Sequence, residues 1–247
     1  MTNTGLIFGE SMSTRGIALI RRLRTVRAQA AFLYPNLWIS YVIQRDLREP
    51  LVGGEIPANV EITTIQDPAH PDFEAMARIS RMMGVSRIRC MENLKAGSVG
   101  AVAHVHEGSR RIPAATGWMT WNSTPVPFLN ARFEGSPHSA CLLYQDFVAP
   151  EYRGMGLQKM LGRHRLNEAI NHGVRWAYGY IRRANTFSLR NASSFTPVAV
   201  VHNLRSGRRA IAHVRCMGHR KCDELPFANW PHRQAFLIPP GHANRGN

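Results

Sequence analysis

Acidic side chains are scarce in this protein: 16 Asp and Glu stand against 31 Lys and Arg in 247 residues, a formal net charge of +15. Such a balance directs attention to anionic partners. Cysteine is scarcer still. Cys90, Cys141, Cys216 and Cys222 are scattered and too few for a disulfide scaffold, which suits a reducing compartment. No apolar run approaches the length of a membrane span. The opening Met1-Thr2-Asn3-Thr4-Gly5 lacks the pattern of a secretory signal, so a soluble cytoplasmic protein is expected. Internal repeats and long low-complexity tracts are also missing, which leaves a globular chain whose 44% hydrophobic content is ample for a core.

The charge is unevenly spread. From Pro150 to the end there are 16 Lys and Arg against 4 Asp and Glu, so this part supplies 12 of the 15 excess positive charges. At the other end, Ile17, Ile20, Leu23, Val26, Ala30 and Leu33 recur every three or four positions, with Arg21, Arg22, Arg24 and Arg27 mostly on other faces. This predicts a basic amphipathic helix. It packs on the following domain, meets an anionic membrane or nucleic acid, or serves as an organelle-targeting segment. Leu37 to Ile43 reads as a strand or an extended apolar arm, and Leu51 to Pro57 as a linker.

The densest chemical signal lies at Asp146-Phe147-Val148-Ala149-Pro150-Glu151-Tyr152-Arg153-Gly154-Met155-Gly156-Leu157-Gln158. An apolar strand pattern runs into a glycine-punctuated turn that opens a helix. Glycine lets the backbone approach an anion, and the first turn of a helix offers N–H groups without intrahelical acceptors, reinforced by the helix dipole. A diphosphate suits that place. A nucleotide P-loop is excluded because no Gly-Lys-Ser/Thr follows, and a Rossmann turn because its third glycine is missing.

Arg153-Gly154-Met155-Gly156, preceded by Val148-Ala149-Pro150-Glu151-Tyr152, resembles the signature of the GNAT superfamily of N-acyltransferases; Gln158 stands where that signature has a small residue. The sequel agrees. A helix over roughly 156–172 stops at His172-Gly173, a strand follows from Val174 to Ile181, and Asn185-Thr186-Phe187-Ser188 is similar to the Asn-x-x-Ser segment that starts the helix flanking the pantetheine arm in that superfamily. Ser194-Phe195 comes early and lacks the usual glycine before it.

The resemblance implies a mixed α/β fold: a mostly antiparallel central sheet, splayed at the cofactor site and flanked by helices. Upstream elements fit it. Strand 60–65, helix 72–83, helix 86–94, a hairpin of strands 98–106 and 112–121, and strand 139–148 are all expected. The domain is expected over 58–217, preceded by the basic extension 1–57 and followed by a tail 218–247. The implied activity is acyl transfer from acyl-CoA, acetyl-CoA by default, to a primary amine in a ternary complex, with no metal.

Under that resemblance the substrate-binding candidates are Phe147, Val148, Arg153, Gly154, Met155, Gly156, Leu157, Gln158, Asn185 and Ser188. Main-chain amides at Phe147 or Val148 would polarise the thioester carbonyl. Asp146 is the first candidate base, with Glu134 and Glu92 as alternatives acting through water; the competing reading of Asp146 is an ion pair with an arginine such as Arg153 or Arg182. Relatives place a tyrosine acid after the Asn, but Phe187, Ala192 and Phe195 occupy that neighbourhood. Tyr144, Tyr178, Ser188 or solvent would supply the proton instead, unless the thiolate leaves unprotonated. Arg87, Arg89 and Glu92 fall in the region that reads the acceptor in this superfamily, and also suit a solvated helix surface. His213, Cys216, His219 and Cys222 are zinc-ligand types, but at three-residue spacing within one segment they cannot easily surround a tetrahedral ion.

Two alternatives stay open. A non-catalytic module of the same fold would bind nucleic acid or protein; a membrane-associated enzyme would use a long-chain donor; and a homodimer is compatible with either.

Overall fold

The computed structural model describes residues 37–51, 55–126, 129, 131–206, 209–217, 222–229 and 235–237. The proposed amphipathic helix at 13–33 and the glycine pair in the expected linker lie outside them. The described chain forms a nine-stranded sheet and a three-stranded one. Strands β1 (Leu37–Asp46), β2 (Val60–Ile65), β3 (Val99–Glu107), β4 (Arg110–Thr120), β7 (Ala140–Val148), β8 (Trp176–Arg182), β9 (Thr196–Ser206), β10 (Arg209–Cys216) and β12 (Ala235–Leu237) make the large sheet in the order β12-β10-β9-β1-β8-β7-β4-β3-β2. Strands β5 (Thr124–Val126), β6 (Ala131–Phe133) and β11 (Phe227–Ala228) make the small one. The large sheet is antiparallel except between β7 and β8. Four α-helices accompany them: α1 (Phe73–Met82), α2 (Arg87–Lys95), α3 (Leu157–Asn171) and α4 (Thr186–Asn191).

Alternation sends successive side chains of each strand to opposite faces. Cys141 and Met119 join Leu166 and Ala169 of α3 on one side, where Ala101, Ala103 and Ala115 also meet Leu157 and Leu161. On the other side Val102 and Trp118 pack with Phe73, Met76, Cys90 and Leu94 of α1 and α2. The small sheet covers that same side further along, where Phe133 and Phe227 pack around Tyr178. Pro113, which cannot donate to a ladder, sits where the register against β3 shifts and beyond the last β4–β7 pair at Ala115 and Val148.

Residues on both sides of the expected 58–217 domain join the sheet. β1 fills its middle, paired with β8 over Ser40–Asp46 and with β9 over Leu37–Gln44. Phe227, from the expected tail, is buried against Phe133 and Tyr178. The cysteines also divide: Cys90 and Cys141 are buried free thiols, whereas Cys216 is disulfide-bonded. That bond takes Cys216 out of the His213, Cys216, His219, Cys222 set. Among the described residues no helix is long and apolar enough to cross a membrane.

A polar network closes the β2 edge. Arg111 of β4 donates to Glu61 of β2 at 2.7 and 2.9 Å and to Asp72, the residue before α1, at 2.9 Å. Asp72 is thereby committed sideways and makes no side-chain cap for α1. His104 is buried beside it, Nε2 at 3.6 Å from Asp72 Oδ1. The Arg111 hydrogen bonds hold Glu61 down to about 2 and lower Asp72 too, while burial lowers His104.

These shifts fix the sign of the pH dependence. Below the ordinary histidine value of 6.5 the unfolded chain takes a proton that folded His104 resists, so stability falls as pH drops through that region. Glu61 stabilises the fold fully above its ordinary value of 4.5 and loses that contribution as pH falls toward about 2. Urea midpoints at pH 7.5, 5.5 and 3.5 should therefore decrease in order, with Arg111→Met flattening the lower step; equal midpoints would contradict the assignment.

Candidate functional site

The site grows from the way β7 departs from β8. The two pair in parallel only from Ala140 with Trp176 to Leu143 with Gly179. Beyond those residues the last five residues of β7 keep only β4 as a ladder neighbour, and a gap opens. Opposite the gap, Thr116 of β4 pairs with Phe147 and Trp118 with Tyr144, so Gly117 alone faces both Gln145 and Asp146. Gln145 takes a left-handed φ of 53°, rare outside glycine, and the extra residue makes a β-bulge.

The bulge sets where the following amides point. Ala149 N–H donates to Ala114 O at 2.8 Å, toward β4. Peptide alternation along an extended strand then turns the Val148 N–H away from β4 and into the gap. Phe147, paired with Thr116, turns its own N–H back to β4. Of the two amides expected to meet a thioester oxygen, Val148 is the one aimed at the opening.

A single 3-10 turn at Pro150–Tyr152 follows, then the glycine loop. Gly154 and Gly156 adopt φ of 91° and 75°, the left-handed region that glycine enters without strain. A Cβ on Gly154 would meet nothing within 4 Å, and one on Gly156 only the Met160 methyl at 3.7 Å, so the loop is open to solvent. The N–H groups of Gly154, Met155, Gly156, Leu157 and Gln158 have no acceptor among the described residues. Five consecutive donors without an acceptor among the described residues, at the head of a 15-residue helix, make a concavity of the kind that suits an anion. Arg153 and Lys159 are exposed at its rim.

Gln158 does not crowd that concavity. Its amide donates to Ser188 Oγ at 3.3 Å and accepts from Asn191 Nδ2 at 3.0 Å, tying the first turn of α3 to α4. Asn185 caps α4 by accepting the Ser188 N–H at 3.0 Å. Gln158→Ala should free α4 from α3: two part-buried hydrogen bonds are lost, each worth about 1 kcal/mol. Hydrogen exchange over 186–192 should quicken severalfold while β3 and β4 stay protected; unchanged exchange would show that the bridge holds nothing.

The catalytic candidates separate. Tyr144 turns to the α1–α2 side, packs on Trp118 and donates to Ser98 Oγ at 2.9 Å; burial pushes its phenol up to about 12. Tyr180, across the gap on β8, is raised by burial too, with the charges of Tyr144 and Asp146 adding to it. Asp146 turns to the α3 side. Its Oδ1 lies 2.8 Å from NH2 of Arg165, a charge contact whose angles fall short of a hydrogen bond; its second oxygen has no partner among the described residues. The expected ion pair exists, with Arg165 in place of Arg153 or Arg182. Glu92 is paired with Arg89 at 3.1 Å, Arg87 with Glu74 at 2.6 Å, and Glu134 accepts from Ser123 at 3.2 Å. These groups form exposed surface pairs.

Arg165 escaped the sequence reading. It falls in the 157-161-165-169 row that is otherwise apolar, and a charge in that row is the signal that could have found it. Only 1% exposed, it donates from NH1 to Trp118 O at 2.6 Å and from Nε to Leu161 O at 3.3 Å.

No protein-family model matches this sequence, and no curated protein matches it. Solved structures do. A tandem GNAT protein from the clavulanic acid biosynthesis pathway superposes with a TM-score of 0.50 at 14% identity, covering 79% of this chain and 59% of that one. A GCN5-related N-acetyltransferase from Kribbella flavida gives 0.45 at 14% identity, over 82% of this chain and 66% of its own. The chain thus spans about three fifths of the tandem protein's length. With the mostly antiparallel sheet, the opening between β7 and β8 and the glycine loop ahead of α3, this chain has the GNAT fold.

Proposed function

We propose that this protein is an acyl-CoA-dependent N-acyltransferase with acetyl-CoA as default donor and a primary amine as acceptor. The observation that carries the reading is the run of five main-chain donors from Gly154 to Gln158 with no acceptor among the described residues, one turn after a strand whose Val148 N–H faces an open gap. The donor run suits the diphosphate, with Arg153 and Lys159 adding charge at the rim. The gap suits the extended pantetheine arm, which can hydrogen-bond along the free edge of β7. Val148 N–H then meets the thioester oxygen and stabilises the charge that develops there.

In the transfer, the amine nitrogen attacks the thioester carbon, its C–N bond forms as the C–S bond breaks, and CoA leaves as the thiolate. The amine proton goes to a base. The second oxygen of Asp146 can receive it through water, because Arg165 occupies only the first. The thiolate is quenched by solvent; Tyr144 is the weaker alternative, because burial raises its phenol and its O–H already donates to Ser98 Oγ.

The test is thiol release from acetyl-CoA against amine libraries, with Gly154→Asp as control. Turnover with at least one amine, abolished in the control, supports the proposal. Failure of the wild-type protein to bind CoA or acetyl-CoA would sink it.

A further inference from the structure

We infer that Arg165 is the positioning residue of the acyl site: by joining Trp118 of β4 and Asp146 of β7 beneath Gly117, it holds the bulge at Gln145 and so aims the Val148 N–H at the thioester oxygen. This inference rests on the acyltransferase reading above and assigns a role to a side chain which that reading does not require.

The bulge needs an external hold. A left-handed φ at a non-glycine residue persists only where its surroundings over-determine it. Tyr144 anchors one side of the bulge through Trp118 and Ser98, and on the α3 side the hold is the guanidinium of Arg165. A Cβ on Gly117 would lie 2.7 Å from Arg165 Cζ, 2.8 Å from its NH1 and 2.8 Å from Asp146 Oδ1. The hollow left by the missing side chain is thus filled by the ion pair itself. Arg165 reaches three elements at once: Leu161 O of its own helix, Trp118 O on one side of Gly117, and Asp146 on the bulged side.

The chemistry of the pair argues the same way. A buried ion pair costs desolvation on both partners, and apolar replacements of similar volume are often no less stable, so stability alone gives weak reason to bury arginine here. Geometry gives a better one. Arg165 lies eight residues after Leu157, about 12 Å along α3 from the free donors. One rigid helix therefore presents the diphosphate donors at its start and braces the acyl strand two turns on, which sets the distance between the two ends of the extended substrate.

The experiment uses the full chain and reads binding rather than turnover. Calorimetry measures CoA and acetyl-CoA affinities, and infrared difference spectra of bound carbonyl-13C acetyl-CoA report the hydrogen bond to the thioester oxygen. Arg165→Lys keeps a charge but replaces the planar fork, whose NH1 and NH2 face Trp118 O and Asp146 separately, with one ammonium on a differently shaped stem. CoA affinity should stay within about threefold of wild type, the downshift of the carbonyl band should fall by half or more, and any preference for acetyl-CoA over CoA should vanish. Asp146→Asn fills the same space without the charge and should weaken the band shift likewise; it carries the test if the lysine variant does not fold. A folded variant with the wild-type band overturns the inference. Wild-type protein that binds no CoA overturns the proposed function first, and this inference with it.

Discussion

Gly156→Asp is expected to remove acetyl-CoA binding by at least a hundredfold while the fold survives. The position tolerates a side chain sterically, since a Cβ there meets only the Met160 methyl at 3.7 Å. Its φ of 75° penalises any other residue, but Asp and Asn enter this region most readily, so the conformational cost is about 1 kcal/mol. Electrostatics decides the outcome. A carboxylate about 4 Å from a phosphate charge costs roughly 4 kcal/mol at an effective dielectric of 20, and each 1.4 kcal/mol is tenfold in affinity. Gly156→Ala separates the two effects, because it adds the strain without the charge and should cost tenfold at most. Calorimetry with acetyl-CoA, beside a thermal melt to verify folding, gives both numbers. Wild-type affinity in the Asp variant would show that the diphosphate does not sit on these amides.

The second large effect concerns stability. Arg165→Met should destabilise the protein by about 3–5 kcal/mol, because it strands the Asp146 carboxylate beside apolar surface and leaves the Trp118 carbonyl without its donor. Asp146 is 25% exposed, so water tempers the loss and the lower end of the range is expected. For a chain of this size, that corresponds to a fall in Tm of roughly 10 °C. Adding Asp146→Leu should restore much of it, since removing both partners of a buried pair is far cheaper than removing one. A double variant no more stable than the single one would mean that packing around the guanidinium stem, rather than the charge, carries the energy.

Local pattern made much of this protein legible. Strand 60–65 and the two helices after it were foreseeable from alternation, helical spacing and the turn residues between them. The glycine loop was readable because its requirement is local: two left-handed residues followed at once by a helix start. The same logic failed wherever the partner lay far away in sequence. The apolar run from Leu37 to Ile43 read as a strand or an extended arm, yet nothing in those residues says that they pair with β8 and β9, more than 130 positions on. Thr124–Val126 and Ala131–Phe133 form strands completed by Phe227–Ala228, a pairing that no local pattern announces.

Asp146 illustrates the limit most sharply. Its place near the end of β7 followed from its position just before the glycine loop, and an ion pair was among its expected fates. Which arginine answers it depends on α3 crossing β4 at Gly117, where only a missing Cβ leaves room for a guanidinium.

By itself, then, the sequence determined the excess of positive charge, which is a matter of composition, and the glycine loop, the helix it opens and several strands, which depend on neighbours within a few residues. Tertiary structure alone decided the opening between β7 and β8, the bulge that turns Val148 toward it, the insertion of β1 and the burial of Arg165. Those features arise when strands and a helix remote in sequence compete for the same hydrogen bonds and the same space.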